Sequence, residues 1–382
     1  MPYNLRRIKH AEGSGAVRKR LWLRRAIVRL VARVAESDDG RAILARELER
    51  QNLLIPPKEL AELSDAAVAY PELSRGSAAV QAALEQEPIF ITGRFRSGST
   101  LLWNLFRHIP GTTAYYEPFN ERRWFDSASR GVRVDPTHRN VSEYWKEYDG
   151  LDELGPYFRE SWKFEHLYMP HWAWNPAMRR YIEVLIERAA GRPVLQFNEV
   201  DFRLAWLRVQ FPRAKILHIF RHPRDQWCST IQGKVCTPSS TLCDFERLDG
   251  FYLLAWGRDL RRAFPFVSLE STAHPYELFY QLWKLSYLFG RHHADHSLAF
   301  EDLLSEPRRT LDAALASVEV AGYDLETLLG LIEPVSVGRW KDYAEEAWFA
   351  AIERRVDAAL DEYSRGLRLQ RSTARSRREP PQ

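Results

Sequence analysis

Cysteine is scarce in this sequence, and long apolar runs are missing from it. The 382 residues include three cysteines, Cys228, Cys236 and Cys243, which are too few for a disulfide framework and are not spaced like a zinc site. We therefore expect a reducing compartment and a cytoplasmic location. The sequence contains no run of about 18 apolar residues, so no membrane-spanning helix is predicted. Arginines interrupt the apolar stretches near the N-terminus, so no secretory signal is expected.

Positive charge is concentrated at the two ends of the chain. Residues 1–33 hold ten Lys and Arg against one acidic residue, and residues 365–382 hold six Arg against one. Acidic residues outnumber basic ones between these ends. Basic ends can bind a membrane surface or a polyanion, but solvated flanks are the more frequent case. We expect residues 365–382 to be a disordered basic tail.

One segment near the N-terminus has the pattern of an amphipathic helix. Leu23, Ile27 and Leu30 fall on one face, and Arg25 and Arg29 fall on the opposite face. Such a helix can make weak peripheral contact with a membrane, or its apolar face can pack on the protein. The second interpretation is favoured because it needs only one partner surface. Residues 1–87 as a whole predict a mostly helical extension.

From residue 88 onward, short apolar runs alternate with helix-like segments. The runs lie at 89–91, 194–197, 216–220 and 298–300. This alternation predicts an α/β fold with a mainly parallel sheet. We expect a three-layer fold like that of P-loop nucleotide-binding domains, with helical insertions around 120–180. The predicted domain spans 88–364.

Residues 92–100 have the frame of a phosphate-binding loop, G-x-x-x-x-G-x-[ST], between a strand and a helix. Its glycines let the backbone wrap around an anion, and the amides of the following helix point at that anion. Ser99 stands where a nucleotide kinase has its lysine, and the positive charge comes earlier, from Arg94 and Arg96. A donor without a γ-phosphate needs neither that lysine nor Mg²⁺, so we expect no metal.

Residues 96–102 (RSGSTLL) and 215–225 (KILHIFRHPRD) are two motifs by which the sequence resembles the sulfotransferases that use 3′-phosphoadenosine 5′-phosphosulfate (PAPS), in particular the Golgi carbohydrate type and its bacterial relatives. Residues 96–102 (RSGSTLL) resemble their 5′-phosphosulfate loop. Residues 215–225 (KILHIFRHPRD) resemble their 3′-phosphate motif, in which an arginine and a serine eight residues later bind the phosphate, here Arg221 and Ser229. The resemblance implies PAPS as donor, and it implies that the loop binds PAPS through Arg94, Arg96, Ser97, Gly98, Ser99 and Thr100.

A weaker match lies near the C-terminus. Residues 338–341 (GRWK) resemble a G-R-W-[RK] segment of many bacterial members. The resemblance implies that Arg339, Trp340 and Lys341 help to hold the 3′-phosphate. A helix N-terminus with solvated cations is the alternative interpretation. Together the matches extend over about residues 90–345.

The candidate base is Glu117. Residues 112–116 predict a second strand, and Glu117 follows it directly. Because the carboxyl ends of parallel strands meet at one edge of a sheet, Glu117 should approach the phosphate loop. In the resembled carbohydrate enzymes a glutamate in a matching E-P segment takes the acceptor proton, and Arg96 is expected to stabilise charge. A glutamate paired with Arg122 or Arg123 is the structural alternative.

The alternatives are a different base, a different role for the aromatic residues, and a different reaction. Other branches of the family use histidine, which leaves His108, His166 and His171 as weaker candidates. Residues 115–181 hold 16 Phe, Trp and Tyr in 67 positions, and they fit an acceptor pocket and a packed core equally well. We expect a carbohydrate or other small-molecule acceptor and no nucleic acid. The rival functions are a P-loop small-molecule kinase and a non-catalytic scaffold.

Overall fold

A five-stranded parallel sheet forms the centre of the computed structural model, which describes residues 87–131 and 133–376. In the sheet the strands stand in the order β2-β3-β1-β4-β5, and every pairing is parallel. The strands are β1 (Ile89–Thr92), β2 (Thr112–Tyr116), β3 (Arg192–Phe197), β4 (Lys215–Phe220) and β5 (His296–Ala299). Their apolar runs are largely buried, as expected for a parallel sheet covered on both faces.

Helices follow most of the strands. They are α1 (Ser99–Arg107), α2 (Pro176–Arg188), α3 (Leu204–Gln210), α4 (Pro223–Thr230), α5 (Leu242–Phe245), α6 (Leu253–Leu260), α7 (Pro275–His293), α8 (Phe300–Ser305), α9 (Pro307–Ser317), α10 (Leu325–Gly330) and α11 (Glu346–Ser376). Four of them, α2, α4, α7 and α9, begin with proline, whose fixed φ suits the first turn and whose missing N–H costs nothing there.

The helices cover both faces of the sheet. Through the strand registers, Tyr116 of β2 and Leu217 of β4 lie on the same face. On that face Trp103 of α1 packs against Tyr116, with ring centroids 4.7 Å apart. His218 points to the opposite face, where a Cβ atom on Gly290 of α7 would lie 2.3 Å from its Nδ1. The predicted three-layer α/β fold is therefore confirmed.

Between β2 and α2 the chain is mostly irregular, with short 3₁₀ turns at Lys146–Tyr148, Asp152–Leu154 and Glu160–Lys163. Most aromatic side chains of this segment are buried in the core beside α1 and the sheet, for example Trp124 and Trp162. Trp172 and Trp174 are exposed. The core interpretation therefore accounts for most of this aromatic-rich stretch.

The predicted amphipathic helix at residues 23–34 lies outside the described residues. Helix α11 continues past residue 364 to Ser376 and so crosses the expected start of the basic tail. The division into 1–87, 88–364 and 365–382 stays a prediction.

Candidate functional site

A cavity of about 340 Å³ opens at the carboxyl edge of the sheet. The loop after β1, Glu117 after β2, Asn198 after β3 and Arg221 after β4 all line it. Parallel pairing explains this convergence, because it brings the ends of four strands to the same edge. Residues 135–141 and 331–335 supply another part of the wall.

The loop after β1, residues 93–98, has the backbone geometry of an anion site. A Cβ atom on Gly93 would lie 2.5 Å from the carbonyl oxygen of Ile219, so the close approach to β4 requires glycine. Gly98 has a φ of 97° and precedes α1. The first backbone bond of the helix runs from the Leu102 amide to the Gly98 carbonyl at 3.2 Å. The preceding amides have no acceptor within the helix, which makes its N-terminus attractive to a phosphate.

The two phosphate motifs meet at this loop. Nε of Arg96 donates to Oγ of Ser229 at 3.0 Å, and Arg221 donates to the carbonyl oxygen of Arg96 at 3.4 Å. Nε of Arg221 is buried without a partner among the described residues. Burial lowers the pKa of both Arg96 and Arg221, but arginine stays charged near neutral pH. Two poorly solvated cations beside free amides form a strong attraction for a phosphate.

Arg339 reaches the cavity from the far end of the chain. The carboxylate of Asp225, in the first turn of α4, accepts hydrogen bonds from the amides of Gly338 at 2.7 Å and Trp340 at 3.3 Å. These bonds attach the 3₁₀ turn Arg339–Asp342 to α4. The Trp340 ring lies under the guanidinium of Arg224, 4.7 Å away, rather than in the cavity wall.

The structure brings most, but not all, of the predicted residues to the cavity. Those that line it are Arg96, Gly98, Ser99, Thr100, Glu117, Arg221, Ser229 and Arg339. Those outside its wall are Arg94, Ser97, Trp340 and Lys341. The guanidinium of Arg94 lies 4.8 Å from the Trp256 ring centroid, and burial lowers its pKa to about 10.

Glu117 is held by two amide side chains. It is 6% exposed and has a φ of 39°. Asn120 donates to its Oε2 and Asn198 donates to its Oε1, so its hydrogen-bond partners are amides rather than Arg122 or Arg123. Burial raises the pKa of Glu117, although these hydrogen bonds oppose that effect.

A buried polar cluster behind Glu117 was not predicted from the sequence. It contains Asn198, Glu199 and Lys163. Glu199 is fully buried, and burial followed by repulsion from Glu117 raises its pKa to about 7. Burial lowers the pKa of Lys163, which pairs with Glu121. The signal in the sequence was the pair Asn-Glu directly after the apolar run 194–197.

The candidate histidines lie elsewhere, but another histidine lines the cavity. His108, His166 and His171 are not part of the wall, whereas His138 is. Nδ1 of His138 lies 2.6 Å from the Tyr144 hydroxyl. Burial lowers its pKa to about 4, so the ring is neutral at pH 7. Nothing in the sequence around His138 marked it as a site residue.

An ion pair joins the two segments of the outer wall. Arg139 contacts Glu333 at 2.6 Å, and Asn140 donates to the same carboxylate at 3.1 Å. Within the described ranges, no group of three or more His, Cys, Asp or Glu side chains could hold a metal ion. None of the helices in those ranges is both long and apolar enough to cross a membrane.

Residues 88–324 match the family model described as "Sulfotransferase family". No curated protein matches the chain. Similar solved structures include a sulfotransferase from Alicyclobacillus acidocaldarius, with 18% identity over 71% of this chain and 94% of that chain and a TM-score of 0.33. A sulfotransferase from Mycobacterium avium is 14% identical over 76% of this chain and 79% of that chain, with a TM-score of 0.37. These structural likenesses are weak, whereas the sequence match extends over more than half of the chain.

Proposed function

The chain belongs to the sulfotransferase family, and we propose that it transfers a sulfuryl group from PAPS to the hydroxyl group of an acceptor. The product pair would be a sulfate ester and adenosine 3′,5′-bisphosphate. The observation that carries the proposal is one cavity that collects an anion-binding loop, four arginines and the buried carboxylate of Glu117.

The cavity suits a donor with two separate phosphate groups. The amides at the start of α1 and Arg96 would hold the 5′-phosphosulfate, while Arg221, Ser229 and Arg339 would hold the 3′-phosphate. The unpartnered Nε of Arg221 supports this assignment, because a buried donor needs an acceptor. PAPS would supply a sulfuryl group already activated by a phosphate leaving group.

In the proposed reaction Glu117 accepts the proton of the acceptor hydroxyl. Its raised pKa suits this role, since a general base works best when its pKa is close to the working pH. Arg96 and the loop amides stabilise the negative charge that develops on the phosphate side. The acceptor oxygen gains a bond to sulfur as the bond from sulfur to the phosphate oxygen breaks, so charge and atoms balance.

The acceptor in this proposal is a carbohydrate or another small molecule rather than a nucleic acid. Phe95 and Phe251 give the cavity an aromatic wall, and Gln232 adds a polar group. Such a wall suits sugar C–H surfaces or flat rings. A cytoplasmic location belongs to the proposal because Cys228, Cys236 and Cys243 are all free thiols.

The test is transfer of labelled sulfate from PAPS across a panel of sugar, lipid and phenolic hydroxyls, in the presence of EDTA. We expect transfer to at least one acceptor by the wild type. Glu117→Gln should lower turnover by roughly 10²- to 10⁴-fold, the usual value of general base catalysis. Its affinity for adenosine 3′,5′-bisphosphate, measured by calorimetry, should stay the same.

Glu143→Gln is the matched control, because Glu143 lies outside the cavity beside Arg107. Thermal melting of both variants separates lost chemistry from lost folding. Failure to bind adenosine 3′,5′-bisphosphate, or turnover of ATP with a strict Mg²⁺ requirement, would contradict the proposal and favour the kinase. Near-native turnover of Glu117→Gln would contradict the base assignment alone.

A further inference from the structure

The strand order places Asn198 between Glu117 and the phosphate loop. Strand β3 lies between β2 and β1 in the sheet. Asn198 follows β3, so Glu117 after β2 lies on one side of it and the phosphate loop after β1 lies on the other. The residue is 3% exposed and lines the cavity.

The side chain of Asn198 uses both of its ends. Its Oδ1 accepts from Oγ of Ser99 at 3.0 Å and from Nε2 of Gln196 at 3.1 Å. Its Nδ2 donates to Oε1 of Glu117. The contacts with Gln196 and Glu117 fix the orientation of the amide, because a flipped amide would set its oxygen against the Glu117 carboxylate and its NH2 group against that of Gln196.

Asn120, the other amide partner of Glu117, cannot perform the same task. It lies three residues along the chain and its backbone bonds to Glu117, so it moves with the carboxylate that it contacts. Within the part of the chain that the structure describes, Asn198 is the residue whose hydrogen bonds connect the Glu117 carboxylate to the first residue of α1. A φ of 39° is an unfavourable backbone conformation for a residue other than glycine, so contacts such as these hydrogen bonds are needed to hold Glu117 in place.

We propose that Asn198 is a positioning residue, which fixes the Glu117 carboxylate relative to the phosphate loop. This role rests on the proposed function of Glu117 as the base. The loop positions the sulfuryl donor and Glu117 orients the acceptor hydroxyl, so the Ser99–Asn198–Glu117 connection sets the alignment of the two reactants. Misplacement by about 1 Å is enough to lower a rate on the order of 10²-fold.

The two asparagines provide a matched pair of variants. Each of Asn198→Ala and Asn120→Ala removes one hydrogen bond to the Glu117 carboxylate, and each should raise the pKa of Glu117 by about one unit. Both variants should therefore shift the acid limb of the pH–rate profile to higher pH. Asn198→Ala should also lower the plateau value of kcat by about ten- to a hundredfold, which is a larger loss than Asn120→Ala should cause, because only Asn198 connects the carboxylate to Ser99. KM for PAPS should change little in either variant.

The surroundings of Glu117 must be the same in all variants for this comparison to hold. The titratable groups that face it are Tyr116, Tyr144, Tyr148, Lys163, Glu199 and Tyr252. Neither asparagine variant removes any of them. Carbon-13 NMR of carboxyl-labelled glutamate gives the pKa of Glu117 without turnover, because the Glu117→Gln spectrum identifies its resonance.

The experiment measures pH–rate profiles with PAPS and the best acceptor of the panel for Asn198→Ala, Asn120→Ala, Ser99→Ala and the double variant Ser99→Ala/Asn198→Ala. We expect the double variant to lose no more kcat than Asn198→Ala alone, because both changes break one connection. Additive losses, or equal plateaus for the two asparagine variants, would overturn the inference while the proposed function stands.

Two further arms keep the result decisive. If Asn198→Ala does not fold, Asn198→Asp keeps the shape and both acceptor bonds but sets a second carboxylate against Glu117. It should raise the pKa of Glu117 more than Asn120→Ala does, and an unchanged NMR titration would refute the contact. Full turnover by Glu117→Gln would refute both the assignment of Glu117 as the base and the positioning role of Asn198. The proposed sulfuryl transfer would still stand, because the same assay measures it directly.

Discussion

A buried guanidinium with an unused N–H group is costly unless a ligand completes its hydrogen bonds. Arg221 is in that state: it is 6% exposed, its Nε has no partner among the described residues, and the Phe300 ring lies 4.9 Å from its guanidinium carbon. Among the described residues its guanidinium donates one hydrogen bond, to the carbonyl oxygen of Arg96, and that bond is long at 3.4 Å. Asp225 and Glu301 offset part of this cost, and an anion in the cavity would lower it further.

We therefore expect Arg221 to decide which nucleotide binds. The wild type should bind adenosine 3′,5′-bisphosphate more tightly than 5′-AMP by about 2–3 kcal/mol, the value of a charged hydrogen-bonded contact. Arg221→Ala should reduce that preference in calorimetric titrations, while Ser229 and Arg339 retain part of it. Lys215→Ala is the control, since Lys215 begins the same strand at the opposite end and pairs with Glu319. Equal affinities for the two nucleotides in the wild type would show that the cavity has no 3′-phosphate site.

At the scale of single elements, the turn between β1 and α1 requires glycine at position 98 for two separate reasons. The backbone of Gly98 has a φ of 97°, which favours glycine. A Cβ atom there would also lie 2.3 Å from the ring of Phe300, the first residue of α8. Conformation and packing therefore select the same residue, and both keep the start of α1 aimed at the cavity.

Comparing two glycines separates these demands. Gly111 has a φ of 78° but open space where a Cβ would lie. Gly111→Ala should cost about 1–2 kcal/mol of unfolding free energy from backbone strain alone. Gly98→Ala should cost about 1–3 kcal/mol more from overpacking, and it should weaken binding of adenosine 3′,5′-bisphosphate. Denaturant unfolding and calorimetry measure the two effects, and equal losses in both variants would mean that Phe300 simply moves aside.

Local pattern and strand topology were sufficient to predict the loop and the approach of Glu117 to it. The glycine spacing is local, and parallel strands bring their carboxyl ends together whatever lies between them. The sequence could not show that the Arg94 side chain points away from the cavity, because its position beside Trp256 depends on α6, which lies far along the chain. Asn198 and His138 were missed for the same reason: their partners are set by tertiary packing, and a single polar residue after a strand or within a loop has no distinctive pattern.

For the molecule as a whole, the buried charges set how stability depends on pH. Glu199 is the clearest case, since burial raises its pKa from the usual 4.5 to about 7. Between those values the folded protein retains a proton that the unfolded chain releases, so rising pH favours unfolding. His218 acts in the opposite direction: burial lowers its pKa to about 3, and falling pH below about 6.5 favours unfolding.

Glu199→Gln should remove the first of these dependences. Relative to the wild type, the variant should become more stable as pH rises from about 5 to 8, by a difference on the order of 3 kcal/mol at full effect. Thermal melting of both proteins across that range measures it. Glu183→Gln on α2 is a control on a mostly buried glutamate that pairs with Arg179 at the surface. A wild-type and variant difference that stays constant with pH would mean that Glu199 is ionised throughout.

The strand order also has a consequence for the chain while it is being synthesised. Strand β1 is the first strand of the described domain to leave the ribosome, but it lies in the middle of the finished sheet. Ile89 pairs with Val194 on one side and with Lys215 on the other. Until both later strands have emerged, an apolar strand with two unpaired edges stays exposed, which is the form most prone to wrong pairing with another chain. Chaperone demand during translation should therefore fall once residue 220 has left the ribosome and β4 can cover the second edge of β1.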